Sequence, residues 1–318
     1  MSGPLILSLP SKGRLKEQAE AWLADCGLSL RAVGGARGYL ASLDGFDDLE
    51  VRLASAADIA ASLAGGGAHL GVTGEDLLRE GVGGATDVLL LMALGFGRAD
   101  LVVAAPRSWI DVETMADVDD IAHDILARTG RRLRVATKYP GQTRAFFAAH
   151  GVADYRIVES GGATEGAPAA GVAELIVDIA TTGATLAANG LRVLDDGLIL
   201  KSQARLAAAL SADWSRAHMA AARRLLAVFE ARARGRTIAS LVWPKAQDGA
   251  ARKALAGIAR GPDAERANGA LVSREELFAA MEALAAAGVG PVSVTQPAYV
   301  FEAASEAGDR LAAALGKT

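Results

Sequence analysis

Glu174–Leu191 reads ELIVDIATTGATLAANGL. A short apolar run, Leu175-Ile176-Val177, carries an acid at its end, Asp178. A small-residue turn follows, Thr181-Thr182-Gly183-Ala184-Thr185, and LAANGL then starts a helix. A strand that feeds a Gly/Thr turn and a helix is the repeating unit of an α/β fold and a ready anion site. The turn presents N–H groups and hydroxyls, and the helix dipole favours negative charge. A bare phosphate would be repelled by the adjoining carboxylate, so Asp178 is read as accepting hydrogen bonds from sugar hydroxyls beside that phosphate. The ligand class is a sugar phosphate. Because most Gly/Thr turns after strands are only turns, the flanking sequence has to supply the context.

Upstream the same grammar repeats. Tyr155–Glu159 reads as a strand running into SGGATEGAP, a second Gly-rich turn with an acid, Glu165. Leu133–Thr137 is a strand followed by Lys138-Tyr139-Pro140 and a helix over Thr143–His150. Leu5–Leu9 is a buried strand, PSKGRL a loop with two cations, Lys12 and Arg14, and Leu15–Cys26 an amphipathic helix. Leu49–Leu53 and Ala57–Leu63 give another strand and helix. In HLGVTGEDLLREG, Leu70–Val72 is a strand, Thr73-Gly74 a turn, and Glu75–Glu80 a helix with acids in its first turn. Val88–Phe96 and Ala99–Ala105 are two more apolar runs. Downstream, Gly197–Leu206 reads as one strand and Trp214–Ala233 as a long helix. ARARGR at Ala231–Arg236 reads as a domain boundary. Beyond it the pattern gives a strand at Thr237–Trp243 and a helix at Glu275–Ala287 opened by the Ser273/Glu276 capping pair. Val292–Gln296 and Ala298–Glu302 are short extended runs.

The chain has 318 residues, about half of them apolar (51%), which is enough for two or three compact domains with a sizeable core. A net charge of −4 argues against a nucleic-acid-binding surface. No basic segment precedes the N-terminal apolar patch, and the longest apolar run, Val88–Leu94, is too short for a bilayer. A soluble cytoplasmic protein with no membrane partner is expected. The single cysteine, Cys26, suits a reducing compartment and reads as a small buried residue. His69, His123, His150 and His218 have no ligand spacing, so no metal site made by side chains is expected. No nucleophile elbow is present. Any catalysis rests on phosphate-binding turns, cations and carboxylates.

Five motifs in one order now carry a resemblance. They are LPSKGRL, GVTGEDLL, ATKYPGQTRAFFAAHGV, ESGGATEGAP and LIVDIATTGATLAANGL, running from about Leu5 to Leu206. Together they resemble the ATP phosphoribosyltransferases, which join ATP and phosphoribosyl pyrophosphate at the start of histidine biosynthesis. The resemblance implies a catalytic unit of two α/β lobes like a type II periplasmic binding protein, plus a C-terminal ferredoxin-like (ACT-like) α+β domain. The implied division is residues 1–103 and 194–234 for lobe I, 104–193 for lobe II, and 237–318 for the regulatory tail.

By motif, Thr181, Thr182, Gly183, Ala184 and Thr185 would hold the 5′-phosphate of phosphoribosyl pyrophosphate. Asp178 would bind the ribose hydroxyls, and Glu165 would support them. Ser11, Lys12, Gly13, Arg14, Gly74, Glu75, Asp76 and Tyr139 would form the ATP site. Lys12, Arg14, Arg37 and Lys138 would serve catalysis. Adenine N1 attacks C1 of the ribose in this family while pyrophosphate leaves carrying Mg²⁺, and N1 has no proton to lose first. Many members carry an arginine shortly before the Asp-Ile that matches Asp58-Ile59. Here Ser55, Ala56 and Ala57 stand there, leaving Arg37 or Arg52 to cover the role.

The catalytic motifs resemble the short form of the family, which relies on a histidyl-tRNA-synthetase-like regulatory subunit. The tail VSREELFAAMEALAAAGVGPVSVTQPAYVF resembles the long form, whose tail binds histidine as inhibitor. Either form implies an oligomer. A two-lobed ligand-binding protein and a phosphoribosyltransferase with another acceptor are the competing readings. The first leaves the Asp178 turn unexplained, and the second leaves PSKGRL and GVTGEDL without a purpose.

Overall fold

A computed structural model of the chain describes residues 3–33, 39–81, 87–258 and 268–317. The chain divides into two compact units, Gly3–Trp214 and Ser215–Thr318.

The first unit opens with β1 (Leu5–Pro10), α1 (Gly13–Asp25), β2 (Leu30–Val33), β3 (Leu40–Leu43) and β4 (Leu49–Ala54). It continues through α2 (Ala56–Ala64), β5 (Leu70–Gly74), α3 (Glu75–Gly81) and β6 (Val88–Ala93). Next come β7 (Ala99–Pro106), α4 (Met115–Thr129), β8 (Leu133–Thr137), α5 (Pro140–Ala149) and β9 (Tyr155–Glu159). It closes with β10 (Leu175–Ala180), α6 (Ala184–Ala188), β11 (Leu191–Ser202) and β12 (Ala204–Ala209).

Two sheets organise these elements. The first has strand order β2-β3-β4-β1-β5-β12-β6, with β4, β1 and β5 parallel. The second is β11-β7-β10-β8-β9, with β10, β8 and β9 parallel, β7 antiparallel to β10, and β11 antiparallel to β7 in turn. β12 has come back from the second sheet, and it is inserted antiparallel between β5 and β6. This interleaving makes a two-lobed α/β unit of the type II periplasmic-binding-protein kind. Strands covered on both faces should be largely apolar, and LILSLP and LIVDIA are, apart from Ser8 and Asp178. Leu101, Val103, Val135, Leu175 and Val177 face α4 and α5 on one side of the second sheet, while Val102, Ala104, Ala136 and Ile176 face Leu186 on the other. A leucine or valine so enclosed contributes about 1.5–3 kcal/mol.

The lobe boundaries differ from those expected. The chain changes sheet between Ala93 and Ala99 and again at Gln203, whereas positions 103 and 194 lie inside β7 and β11. Gly95 and Gly97 mark the first crossing with φ of +76° and +63°, a backbone open mainly to glycine. At the second crossing, Gly197–Leu206 is two strands, because the extended pattern runs on without a break while its hydrogen-bond partners change. β10 also continues to Ala180, two residues past Asp178.

The second unit holds α7 (Arg216–Thr237), β13 (Ile238–Val242), α8 (Asp248–Ala254), β14 (Gly269–Ser273), α9 (Leu277–Ala286), β15 (Ser293–Thr295) and α10 (Glu306–Ala314). Its sheet is β14-β13-β15, antiparallel throughout. β14, α9 and β15 form a split β-α-β with β13 between the two strands, the half-motif of a ferredoxin-like module. Leu241, Trp243, Val272, Ala280 and Leu284 form its core. Residues 259–267 lie outside the described residues.

Three details of the tail depart from expectation. Ala231–Arg236 is no boundary, because α7 runs through it, capped at its start by Ser215 and His218. Alanine and arginine favour helix strongly enough to carry one glycine. Ala298–Glu302 forms no strand. Val300 donates its N–H to the Ala231 carbonyl and packs on Ile238 and Leu271. α10, absent from the sequence reading, starts at a Ser305 cap that accepts from Gly308 N. Cys26 is buried at the end of α1, as read.

Candidate functional site

In an open parallel sheet, ligands bind beyond the carboxyl ends of the strands. The loops after β1, β4 and β5 are Ser11-Lys12, Ser55 and the β5–α3 junction, all at one edge of the first sheet; parallel pairing sets Pro10 level with Ala54. Those after β8, β9 and β10 are Lys138-Tyr139, Ser160–Ala163 and Thr181–Gly183, at one edge of the second.

Side chains join the two edges. Tyr139 Oη donates to Asp76 Oδ2 at 2.8 Å, and Ser202 Oγ donates to Asp76 Oδ1 at 2.7 Å. Asp76 N–H donates to the same Ser202 oxygen at 3.0 Å. Asp76, Tyr139 and Ser202 are all buried, and the Asp76 carboxyl lies so close over Gly74 that a side chain there would have to displace it. Burial, reinforced by the Asp76 charge, pushes the Tyr139 phenol far above its ordinary value. It is therefore a fixed hydrogen-bond donor and takes no part as a base. Beside this trio, Glu80 accepts from Gly141 N at 2.6 Å and Gln142 N at 3.0 Å, capping the start of α5, and Gln142 Nε2 donates to Asp76 O at 2.9 Å.

Glu75 is also engaged. Arg79 Nη2 reaches its Oε1 at 2.6 Å and Arg205 Nε its Oε2 at 2.7 Å. Burial raises its carboxyl's affinity for a proton, yet the hydrogen bonds from Arg79 and Arg205 outweigh that and hold it below the usual range. The side chains of Glu75 and Asp76 thus build the β5–α3 junction, and the Glu75 N–H, which donates to the Gln203 carbonyl at 3.0 Å, ties it to the second crossing.

Asp178 stands half-buried near the end of β10. It lies on the same face as Ile176, toward the turn holding Thr164 and Glu165. Burial raises its pKa, against the Ile179 N–H at 2.8 Å, the Lys138 charge and the Thr164 hydroxyl, which lower it; Glu165 adds to the rise. One neighbourhood therefore contains Asp178, Glu165 and Lys138, with Tyr139 near enough to feel the Asp178 charge. Thr164, which sequence reasoning passed over, is fully buried and hydrogen-bonds Ser160.

Thr181, Thr182, Ala184 and Thr185 are exposed. Gly183 takes φ +72°, ψ −4°, and Ala184 N donates weakly to Thr182 Oγ1 at 3.4 Å. α6 has only five residues, so a helix dipole adds little. The turn's anion capacity rests on its N–H groups and three hydroxyls.

Ser11, Lys12, Gly13 and Arg14 sit at the start of α1, with Lys12, Gly13 and Arg14 exposed. Arg37 lies outside the described residues. Arg52 is drawn to Glu50 at 2.7 Å and to the Gly67 carbonyl, and Ser55 caps α2 by accepting from Asp58 N. His69 serves the core, its Nδ1 accepting from Ile6 N at 3.1 Å. Among the described residues no group of three His, Cys, Asp or Glu side chains could hold a metal, and no helix is long and apolar enough to cross a membrane.

Sequence reasoning missed Ser202, Glu80, Gln142, Arg205 and Thr164. Only Thr164 had a local signal, its place one residue before Glu165 in the Gly-rich turn. The others meet their partners across 61 to 130 positions.

Residues 55–228 match the family model for ATP phosphoribosyltransferase. A Caulobacter vibrioides ATP phosphoribosyltransferase is 65% identical over 317 residues, covering 99% of both chains. One from a Bradyrhizobium species is 60% identical over 235 residues, 74% of this chain and 72% of that one. Among solved structures, the ATP phosphoribosyl transferase (HisG:HisZ) complex from Thermotoga maritima is 26% identical, with a TM-score of 0.49 over 64% of this chain and 87% of that one.

Proposed function

The chain belongs to the ATP phosphoribosyltransferase family, and from that premise we propose which residues carry the transfer of phosphoribosyl from phosphoribosyl pyrophosphate to ATP. The observation that supports the reading best is the neighbourhood of Asp178. A half-buried carboxylate beside Lys138, Thr164 and Glu165, three residues before an exposed turn with three threonines, suits a ribose with its 5′-phosphate. Thr181–Thr185 takes the phosphate, Asp178 the ribose hydroxyls, and Glu165 the far side of the ring. Lys138, Lys12 and Arg14 supply cations to the polyphosphate groups. Ser11, Gly13, Gly74 and Tyr139, with the β5–α3 junction that Glu75 and Asp76 brace, border the ATP side.

The C1–oxygen bond to pyrophosphate breaks as adenine N1 bonds to C1, and pyrophosphate departs with the bonding pair. Mg²⁺ arrives on that pyrophosphate as part of the substrate. Positive charge develops at C1, so the residues act by aligning the two substrates and by stabilising the departing anion. No residue needs to remove a proton from N1.

An absorbance assay of N1-phosphoribosyl-ATP formation tests this directly, and its pH profile tests the role of Asp178. An ionised carboxylate is needed to accept from the ribose. Burial raises the pKa of Asp178, so kcat/KM for phosphoribosyl pyrophosphate should fall on acidification along a limb lying above the ordinary carboxylate value of about 4. Asp178→Asn should be slow throughout and lack that limb; an unchanged limb in this variant would move the titration to another group.

The second unit is the proposed regulatory module for histidine. Support comes from its split β-α-β sheet and from the end-to-end match to the Caulobacter relative, tail included. A homo-oligomer regulated through its own tail is favoured over one that depends on a separate subunit, and the cytoplasm is the proposed location. Histidine should slow the full chain, whereas a chain ending at Thr237, which keeps α7 whole, should ignore it. Inhibition that survives the truncation would put the sensor elsewhere.

A further inference from the structure

The two connections that pass between the sheets border a cavity of about 480 Å³ that reaches Thr181. Its polar wall is Arg98, Asp100, Thr181, Lys201, Ser202 and Gln203. Arg98 and Lys201 are exposed and enter no ion pair among the described residues, an arrangement unlike Arg52, Arg79, Arg134 and Arg205, each held by an acid. Strand pairing places both beside the ligand turn. Asp100 is level with Ala180 on one side and Lys201 on the other, and Thr181 Oγ1 donates to the Arg98 carbonyl at 3.4 Å. The Gln203 side-chain oxygen accepts from Gly95 N at 3.2 Å, so its NH₂ is the group left to donate.

Two free cations, a hydroxyl and an amide donor suit an anion with several charges. Asp100 would repel a bare anion, but it suits one that carries a hydrated Mg²⁺, which carboxylates and phosphates commonly share. We propose that Arg98 and Lys201 form a polyphosphate-binding site at the lobe crossings, contiguous with the Thr181–Thr185 turn. It rests on the reading of that turn as the phosphoribosyl pyrophosphate loop. The polyphosphate is the pyrophosphate of that substrate or the triphosphate of ATP, since both chemistries fit the same wall.

The test titrates Mg-pyrophosphate into the full chain by calorimetry and measures KM for each substrate in Arg98→Ala, Lys201→Ala, Arg98→Lys and Lys201→Arg. Each alanine variant should bind pyrophosphate about tenfold more weakly, as expected for one charge-assisted contact. The charge-keeping variants should recover most of that affinity. A rise in KM for phosphoribosyl pyrophosphate alone assigns the site to its leaving group, and a rise for ATP alone assigns it to the triphosphate. Unchanged pyrophosphate affinity with both KM values unchanged, or a fall in kcat alone, overturns the proposal. Should the unmodified chain make no product, the reading of the turn fails, while the pyrophosphate titration still decides on the cavity.

Discussion

Asp178→Ala is expected to lower kcat/KM for phosphoribosyl pyrophosphate about a hundredfold to ten-thousandfold, with the fold intact. A carboxylate that accepts from two ribose hydroxyls makes two charge-assisted hydrogen bonds, each about 1.5–3 kcal/mol, and about 1.4 kcal/mol is a factor of ten. The loss should fall on that substrate and spare the KM for ATP. Stability should move the other way. A carboxyl whose pKa is higher folded than unfolded binds its proton more readily in the native state, so its contribution to stability is lost as pH rises through that value. Above it, the ionised Asp178 weakens the fold, and Asp178→Asn should melt no lower, and slightly higher, than the unmodified chain at neutral pH. Initial rates and thermal unfolding on the same preparations check both signs. A variant that melts lower and keeps its KM would make Asp178 a structural residue.

Asp178 stands out in the sequence as a candidate for a simpler reason. An acid at the end of an apolar strand breaks the local pattern, and positions that break a local rule are where functional or strained sites are expected. The strand-turn-helix units were legible for a related reason. Each is written in a contiguous run, so Leu133–Thr137 and Tyr155–Glu159 fall where the pattern put them. Position along the chain conveys nothing about pairing across it. Gly197–Leu206 reads as one strand because side-chain alternation persists through Gln203, and only the change of hydrogen-bond partners from β7 to β5 and β6 reveals two. ARARGR failed in the opposite way: its basic composition suggests a linker, yet its helix propensity is high, and packing against the segment at Ala298–Val300 uses it as helix.

The side chains read as ATP contacts show the same limit. Glu75 and Asp76 are acids in the first turn of a helix, which the dipole alone would justify. Nothing near them in sequence announces Arg205, 130 positions on, or Ser202, 126 positions on. Once those partners are known, the GED of GVTGEDLL becomes the bracket between the two sheet edges.

The bracket makes the last prediction. Asp76→Ala should destabilise the first unit by about 3 kcal/mol and cripple turnover. Removing the carboxyl leaves the Tyr139 and Ser202 hydroxyls without their acceptor, and both residues are at most 4% exposed. A buried polar group so stranded costs about 1–3 kcal/mol, and two of them, with a small cavity, reach that sum. Tyr139→Phe removes one hydroxyl and takes the donor from Asp76 Oδ2, while Oδ1 keeps Ser202. It strands one buried atom where Asp76→Ala strands two, so it should cost about 1.5 kcal/mol. Since Tyr139 belongs to one sheet edge and Asp76 to the other, weakening their link should raise KM for both substrates together, a signature that neither Asp178 nor a single cation would give. Urea unfolding of the two variants, read beside both KM values, checks the argument. Equal losses in Asp76→Ala and Tyr139→Phe would mean that the network contributes through the phenol alone, and an Asp76→Ala protein with unchanged KM values would show that the lobes hold their spacing without it.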